Sequence, residues 1–163
     1  MLDTGQLALN REALQLFRQG LAAASANQYE QAIELYNRVL NIQDGCYEVW
    51  YERGLALESR GDYAAAIASY DRALSLKPAF DIACEIWHDR GNALQYGLGD
   101  YTKALSCYDR AIRLRDDHEL VWQNRGNVLL YGLSLSEDAL ASYDRVLTLN
   151  PRNSLAWRNR GNA

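Results

Sequence analysis

The sequence predicts an all-α fold of antiparallel helix pairs set side by side, and three observations carry that prediction. Tryptophans stand at 50, 87, 122 and 157, each followed four residues later by a glycine, at 54, 91, 126 and 161, with Gly20 one period ahead of Gly54. A tyrosine followed by Asp-Arg or Asn-Arg recurs at Tyr36, Tyr70, Tyr108 and Tyr143. Between these markers, apolar residues return at helical spacing. The unit is 34 to 38 residues long, and its two markers, one in each half, make it a pair of helices joined by a tight turn.

The first pair runs from Ala13 to Ser25 and from Tyr29 to Asn41, with Leu16 in the place of the tryptophan and Asp44 in the place of a later proline. In the second, Val49, Trp50, Arg53, Gly54, Ala56 and Leu57 fall on one side of a helix, and Glu48, Tyr51, Glu52, Leu55, Glu58 and Ser59 fall on the other. Gly61-Asp62 makes its turn, with Asp62 suited to cap the next helix. Tyr63, Ala66, Ile67, Tyr70, Ala73 and Leu74 line that helix, and Lys77-Pro78 ends it. The third unit has three more residues between Pro78 and Trp87 than separate Pro151 from Trp157, close to one turn, which would lengthen its first helix. The turns Tyr96-Gly97-Leu98-Gly99 and Tyr131-Gly132-Leu133-Ser134 each hold one residue more than the turn at Arg60-Gly61. Ser154 to Ala163 opens a fifth unit and stops inside its first helix. The organisation expected is a single array over 1–163, with repeats at about 13–46, 47–80, 81–118 and 119–153 and a partial fifth at 154–163.

Composition narrows the function. The chain has 163 residues, 48% hydrophobic and 23% charged, with 17 Lys+Arg against 21 Asp+Glu. That balance argues against a protein that tracks the nucleic-acid backbone, which needs a cationic face to displace counterions. No leader-like start and no run of about 18 apolar residues is present, so neither secretion by that route nor a membrane span is expected. Cys46, Cys84 and Cys107 have no Cys-x-x-Cys spacing and read as free thiols in a reducing cytoplasm. Two prolines and no Gly/Ser-rich run leave no linker. His88 and His118 are the only histidines, and no nucleophile elbow, phosphate loop or His pair accompanies them. Cys84 and His88 would offer two metal ligands where a structural site needs four. Glu48/Glu52 and Glu85/Asp89 read as solvated helix acids rather than a catalytic pair. Neither catalysis nor a cofactor nor a metal is expected.

The markers resemble those of the tetratricopeptide repeat family over nearly the whole chain. The residues that carry the resemblance are Trp50, Gly54, Gly61-Asp62-Tyr63, Ala66, Tyr70, Ala73 and Pro78 in one unit. Similar sets stand at Trp87, Gly91, Gly99-Asp100-Tyr101, Ala104, Tyr108 and Ala111, and at Trp122, Gly126, Ala139, Tyr143, Val146 and Pro151. The resemblance implies a right-handed superhelix whose first helices line a concave groove that recognises peptide segments.

The residues after the marker glycines are Leu21, Leu55, Asn92, Asn127 and Asn162, with Asn124 and Asn159 three residues before the last two. An amide both donates and accepts, so Asn can pair with a ligand's peptide groups whatever its side chains. The series is similar to the Asn ladders of O-GlcNAc transferase and kinesin light chains. The alternative is that these amides serve hydrogen bonds between adjacent helices. Tyr51, Tyr96 and Tyr131 would add aromatic area, and His88, Gln95 and Gln123 adaptable polar contacts. Glu48, Glu52, Glu58, Glu85 and Asp89 make the middle of the groove acidic, implying a ligand with a basic segment, while Arg158 begins a basic fifth unit. Tyr51-Glu52 and His88-Asp89 stand where chaperone-binding members of the family carry cations, which disfavours that subclass. Arg53, Arg90, Arg125 and Arg160 precede the marker glycines, and Asp71, Asp109 and Asp144 recur in step, so repeated Arg–Asp pairs between a second helix and the next first helix are expected.

The function expected is a protein–protein interaction scaffold that binds an extended peptide. The alternatives are a self-associating assembly factor, with Trp157 on an uncovered helix as the dimer contact, or the regulatory segment of a longer protein. The Trp-x-x-Arg-Gly-Asn and Tyr-Asp-Arg-Ala-Leu wording resembles arrays abundant in bacteria, cyanobacteria especially, which implies a bacterial cytoplasm.

Overall fold

The computed structural model describes residues 9–163, and among them every regular element is helical. They fall into two compact units, one ending at Pro78 and the other spanning Ala79–Ala163.

The first unit holds α1 (Arg11–Ser25), α2 (Tyr29–Ile42), α3 (Tyr47–Arg60) and α4 (Tyr63–Ser75), each packed on the next. Asn10 opens α1 by accepting the Ala13 amide at 2.9 Å. The helix buries Ala13, Leu16, Phe17, Gly20 and Ala23, the spacing of one apolar stripe. Gly61, at φ +91°, closes α3 in the left-handed region that glycine enters without steric cost. Asp62 does not cap α4 as its position suggested, because its carboxylate is taken by Arg60 two residues earlier. Asp100, at the equivalent turn, accepts the Lys103 amide at 3.1 Å.

The second unit holds α5 (Phe80–Asn92), α6 (Tyr101–Leu114), α7 (Glu119–Asn127), α8 (Ser136–Leu149) and α9 (Ser154–Asn162). Trp87 is the eighth residue of α5, whereas Trp50, Trp122 and Trp157 are each the fourth of their helices. The extra residues before Trp87 are therefore one added turn. The longer turns are absorbed differently. Ala93–Leu98 and Val128–Gly132 widen into π-helix at the ends of α5 and α7, the usual way one inserted residue is held without breaking a helix.

One contact explains both sequence markers. A Cβ on Gly20, Gly54, Gly91 or Gly126 would stand 2.4 to 2.6 Å from the ring of Tyr36, Tyr70, Tyr108 or Tyr143 respectively. Each of the four tyrosines is fully buried. The first helix of every pair thus gives up a side chain so that the second can lay an aromatic ring on its backbone, burying roughly 150 to 250 Å² per ring. Gly161 of α9 has nothing within 4 Å of that place.

The arginines beside the glycines tie helices together. Arg125 donates from Nε to Asp109 at 2.8 Å and from a terminal nitrogen to Ser142 at 2.7 Å. Arg160 holds Asp144 at 2.5 Å. Arg53 finds Asn37 at 2.7 Å in the place of the acid, together with Ser69 at 2.6 Å. Arg90 reaches Cys107 Sγ at 2.9 Å. The expected pairing of Arg with the acid after the tyrosine holds at Asp109 and Asp144, and a neutral amide replaces it at Asn37. Trp50, Trp122 and Trp157 donate from Nε1 to the carbonyls of Asp44, Asp116 and Pro151, each six residues back. Arg53, Arg90 and Arg125 lie over the rings of Trp50, Trp87 and Trp122 at 5.8, 5.6 and 5.8 Å, and Trp87 has Arg110 on it as well, at 5.0 Å.

Candidate functional site

The asparagines named from the sequence fall together in the second unit, where they form a two-step network with the buried tyrosines. Asn92 Oδ1 accepts from Tyr108 Oη at 2.9 Å and from Asn124 Nδ2 at 2.9 Å. One repeat later, Asn127 Oδ1 accepts from Tyr143 Oη at 3.0 Å and from Asn159 Nδ2 at 3.0 Å. Gln123, 4% exposed, adds Nε2 to the Asn127 oxygen at 3.3 Å. Its own Oε1 is buried without a partner. The tyrosines that sit on Gly91 and Gly126 therefore also fix the amides that follow those glycines. Asn162 is exposed and donates to Tyr131 Oη at 3.4 Å.

His88 is 9% exposed and closes the first step of the network. Asn124 Nδ2 stands 3.0 Å and Asn92 Nδ2 3.4 Å from its Nε2. Two amide donors assign the lone pair to Nε2 and the proton to Nδ1, which faces Asp89 Oδ1 at 3.6 Å. Burial, reinforced by the neighbouring His118, lowers the His88 pKa to about 4, with Glu85 acting the other way. Glu85, His88 and His118 bring ligand-type atoms within 4.8 Å of one another. Glu85 is shared between Arg115 at 2.9 Å and His118 at 3.3 Å.

The aromatic residues divide. Tyr96 and Tyr131 lie in the two π-helical segments and are 64% and 61% exposed. Tyr51 belongs to the first unit, half-buried, with its ring 6.1 Å from Tyr70. The acids expected to colour the groove are largely engaged. Glu58 accepts from Tyr70 Oη at 2.6 Å, Glu48 from Cys46 Sγ at 2.8 Å, and burial pushes the Glu52 carboxyl above its ordinary range. Cys46, Cys84 and Cys107 are buried and form no disulfide among the described residues; Cys46 is pushed up to about 12 by burial, with Glu48 beside it adding to the rise, and burial raises Cys84 as well. Cys46 and Cys84 are therefore thiols rather than thiolates.

The structure adds residues that the sequence reading left out of the site. Tyr101, Leu155 and Arg158 share an open pocket of about 440 Å³ with Tyr96, Tyr131 and Asn127. Arg158 had a signal, since it follows Trp157 as Tyr51, His88 and Gln123 follow the other tryptophans. Tyr101 had a weaker one: a Cβ on Gly132 would meet its Cγ at 2.6 Å, so the glycine of the longer turn is its seat.

Two family models, both described as tetratricopeptide repeat, match residues 11–79 with 128–163, and residues 85–118. The chain belongs to the tetratricopeptide repeat family. No curated protein matches it. Among solved structures, one titled YrrB, a TPR protein with an unusual peptide-binding site, is 20% identical over 91% of this chain and 74% of its own, with a TM-score of 0.79. MamA, residues 41 to the end, from Desulfovibrio magneticus RS-1 is 18% identical over 94% of this chain and 84% of its own, with a TM-score of 0.85. A tetratricopeptide repeat protein from Parabacteroides merdae is 18% identical over 94% of this chain and 59% of its own, with a TM-score of 0.86. These likenesses are of fold, an all-α array of antiparallel helix pairs. Tetratricopeptide repeats are protein–protein interaction scaffolds, generally without catalytic activity, and the partners of this chain are accordingly proteins or peptides. Among the described residues no helix is long and apolar enough to cross a membrane.

Proposed function

We propose that the chain holds an extended segment of a partner protein against the first helices of its second unit, with Asn92, Asn127 and Asn162 meeting the ligand backbone. Asn124 and Asn159 set the orientation of Asn92 and Asn127, and Tyr96 and Tyr131 supply aromatic area beside them. His88 and Gln123 support the amides from behind; Tyr51, also expected to meet ligand, lies in the first unit and is no part of this site. The observation that carries the reading is the fixed orientation of Asn127. Its oxygen is committed to Tyr143 and Asn159, so its Nδ2 is held ready for a carbonyl without rotamer entropy to lose on binding. The peptide-binding site described for YrrB, a protein of this fold, is in keeping with it. Of the five acids expected to favour a basic ligand segment, Glu85 and Asp89 belong to this unit. The chain on this reading is a cytoplasmic bacterial scaffold and not an enzyme.

Asn92→Ala and Asn127→Ala are expected each to weaken binding of a decapeptide selected on the native chain by about 1 to 2 kcal/mol. Because each amide also accepts a buried tyrosine hydroxyl, Asn127→Asp serves as the second variant: it keeps the acceptor for Tyr143 and removes the outward donor. Titration calorimetry with melting curves measures both. Affinity unchanged in Asn127→Asp would refute the role of the donor.

Self-association is a second reading, favoured by Trp157 at 54% exposure and by the vacant place at Gly161. A concentration-dependent dimer in sedimentation that Trp157→Gln abolishes would establish it.

A further inference from the structure

The pocket between Tyr96 and Tyr131 has a chemical sign. We infer that it takes a carboxylate from an acidic side chain of the bound segment, held by Arg158 between the two exposed tyrosine rings. The inference rests on the peptide-binding reading and names what that peptide must carry.

The hydrogen-bonding capacity left in the pocket decides the sign. Its amide oxygens are already engaged. Asn127 Oδ1 receives Tyr143, Asn159 and Gln123 at 3.0, 3.0 and 3.3 Å. Asn159 Oδ1 receives Tyr131 Oη at 3.3 Å, and that hydroxyl in turn accepts from Asn162 at 3.4 Å. Gln95 Oε1 receives Tyr108 Oη at 2.8 Å. What remains is weighted toward donors: Asn127 Nδ2, Gln95 Nε2 and the Arg158 guanidinium donate, while the Tyr96 and Tyr101 hydroxyls can donate or accept. No acidic residue lines the pocket. Arg158 makes no ion pair among the described residues, unlike Arg125 and Arg160, which hold Asp109 and Asp144.

A pocket rich in donors, carrying an unpaired guanidinium and no acid, selects an anionic acceptor, and a guanidinium fork suits a carboxylate geometrically. A lysine side chain would meet the like charge of Arg158. The tyrosines suit the same guest, because their rings cover the methylene stem of Glu and keep water from the ion pair. The walls themselves arise from the inserted residues. The π-helical segments carry Tyr96 and Tyr131, and Gly132 admits the Tyr101 ring between them.

The test uses fluorescein-labelled decapeptides of otherwise random sequence with Glu, Gln or Lys fixed at a central position, titrated with the full chain and read by anisotropy. The Glu pool is expected to bind about tenfold more tightly than the Gln pool, and the Lys pool most weakly, with the preference shrinking as salt rises. Arg158→Gln should abolish the Glu preference and Arg158→Glu should turn it toward Lys. Arg158 is exposed, so neither change disturbs the core. Equal binding of the three pools by the native chain, or a Glu preference that survives Arg158→Gln, overturns the carboxylate site while leaving peptide binding in place. Failure of every pool to bind overturns the peptide-binding reading and this inference with it.

Discussion

Gly54→Ala is expected to destabilise the protein by about 3 kcal/mol, the upper end of what one inserted methyl costs in a packed core. The new Cβ would stand 2.4 Å from Tyr70 Cε1 and 2.6 Å from Cδ1. Neither atom can retreat, because the ring is fully buried and its hydroxyl is tied to Glu58 at 2.6 Å. Gly91→Ala and Gly126→Ala should behave alike, with Tyr108 and Tyr143 2.5 and 2.6 Å away. Gly161→Ala is the control. It occupies the same register, but nothing lies within 4 Å of its Cβ. There the gain in helix propensity, up to about 1 kcal/mol, stands alone and the change should be neutral or stabilising. Urea midpoints of the four variants check this. Equal losses at Gly54 and Gly161 would mean that backbone conformation, and not the ring, dictates glycine.

The second large effect is acid sensitivity through His88. Its pKa is lowered to about 4 in the fold, against an ordinary value near 6.5. Between those values the unfolded chain binds a proton that the folded chain refuses, so stability is lost as pH falls from about 6.5 to about 4 and is level below that. A shift of this size corresponds to about 3 kcal/mol. The groups facing the ring are Glu85, Asp89, His118, Tyr108 and the amides of Asn92 and Asn124. A protonated ring would set its charge against two amide hydrogens that now point at its lone pair. Glu52 and Glu58, both pushed up by burial, act in the opposite sense at the acid end. The useful quantity is therefore the difference between the native chain and His88→Gln. Between pH 7.5 and 4.5 the native chain should lose about 2 to 3 kcal/mol more than the variant. Parallel urea-midpoint profiles would contradict the assignment.

The helices and their pairing were legible because the pattern behind them is local. An apolar stripe returns every turn, and a glycine or an inserted residue announces each break. The longer α5 could be read from the spacing of Pro78 and Trp87. The Arg–Asp pairs were legible for a related reason, since Asp109 and Asp144 were the acids in phase with Arg125 and Arg160. What could not be read was how helices meet. The markers Gly54 and Tyr70 are visible as periodic positions, yet only packing puts the ring of one on the backbone of the other. The inserted residues at Tyr96 and Tyr131 showed as longer turns, and their conversion to π-helix depends on neighbours that hold both ends. Asp62 was misjudged because a long side chain two residues away competed for it, and such competition has no periodic signature.

The amides illustrate the limit most clearly. Asn92, Asn127 and Asn162 could be singled out by register, and both roles available to them, contact with ligand and bonding between helices, were open. In the structure the oxygen atoms of Asn92 and Asn127 serve the chain itself, so the question narrows to their NH₂ groups. Arg158 escaped selection because charge, not register, was used to sort that position.

The most direct measurement is a nitrogen-15 NMR titration that follows the side-chain NH₂ signals of the asparagines as a selected decapeptide is added to the full chain. The account predicts that the NH₂ signal of Asn127, with that of Asn162, shifts in step with binding, together with the backbone amides around Tyr96 and Tyr131, while Asn37 and Asn153 stay still. Perturbations confined to α2, α4, α6 and α8, with the Asn127 NH₂ unmoved at saturation, would contradict it.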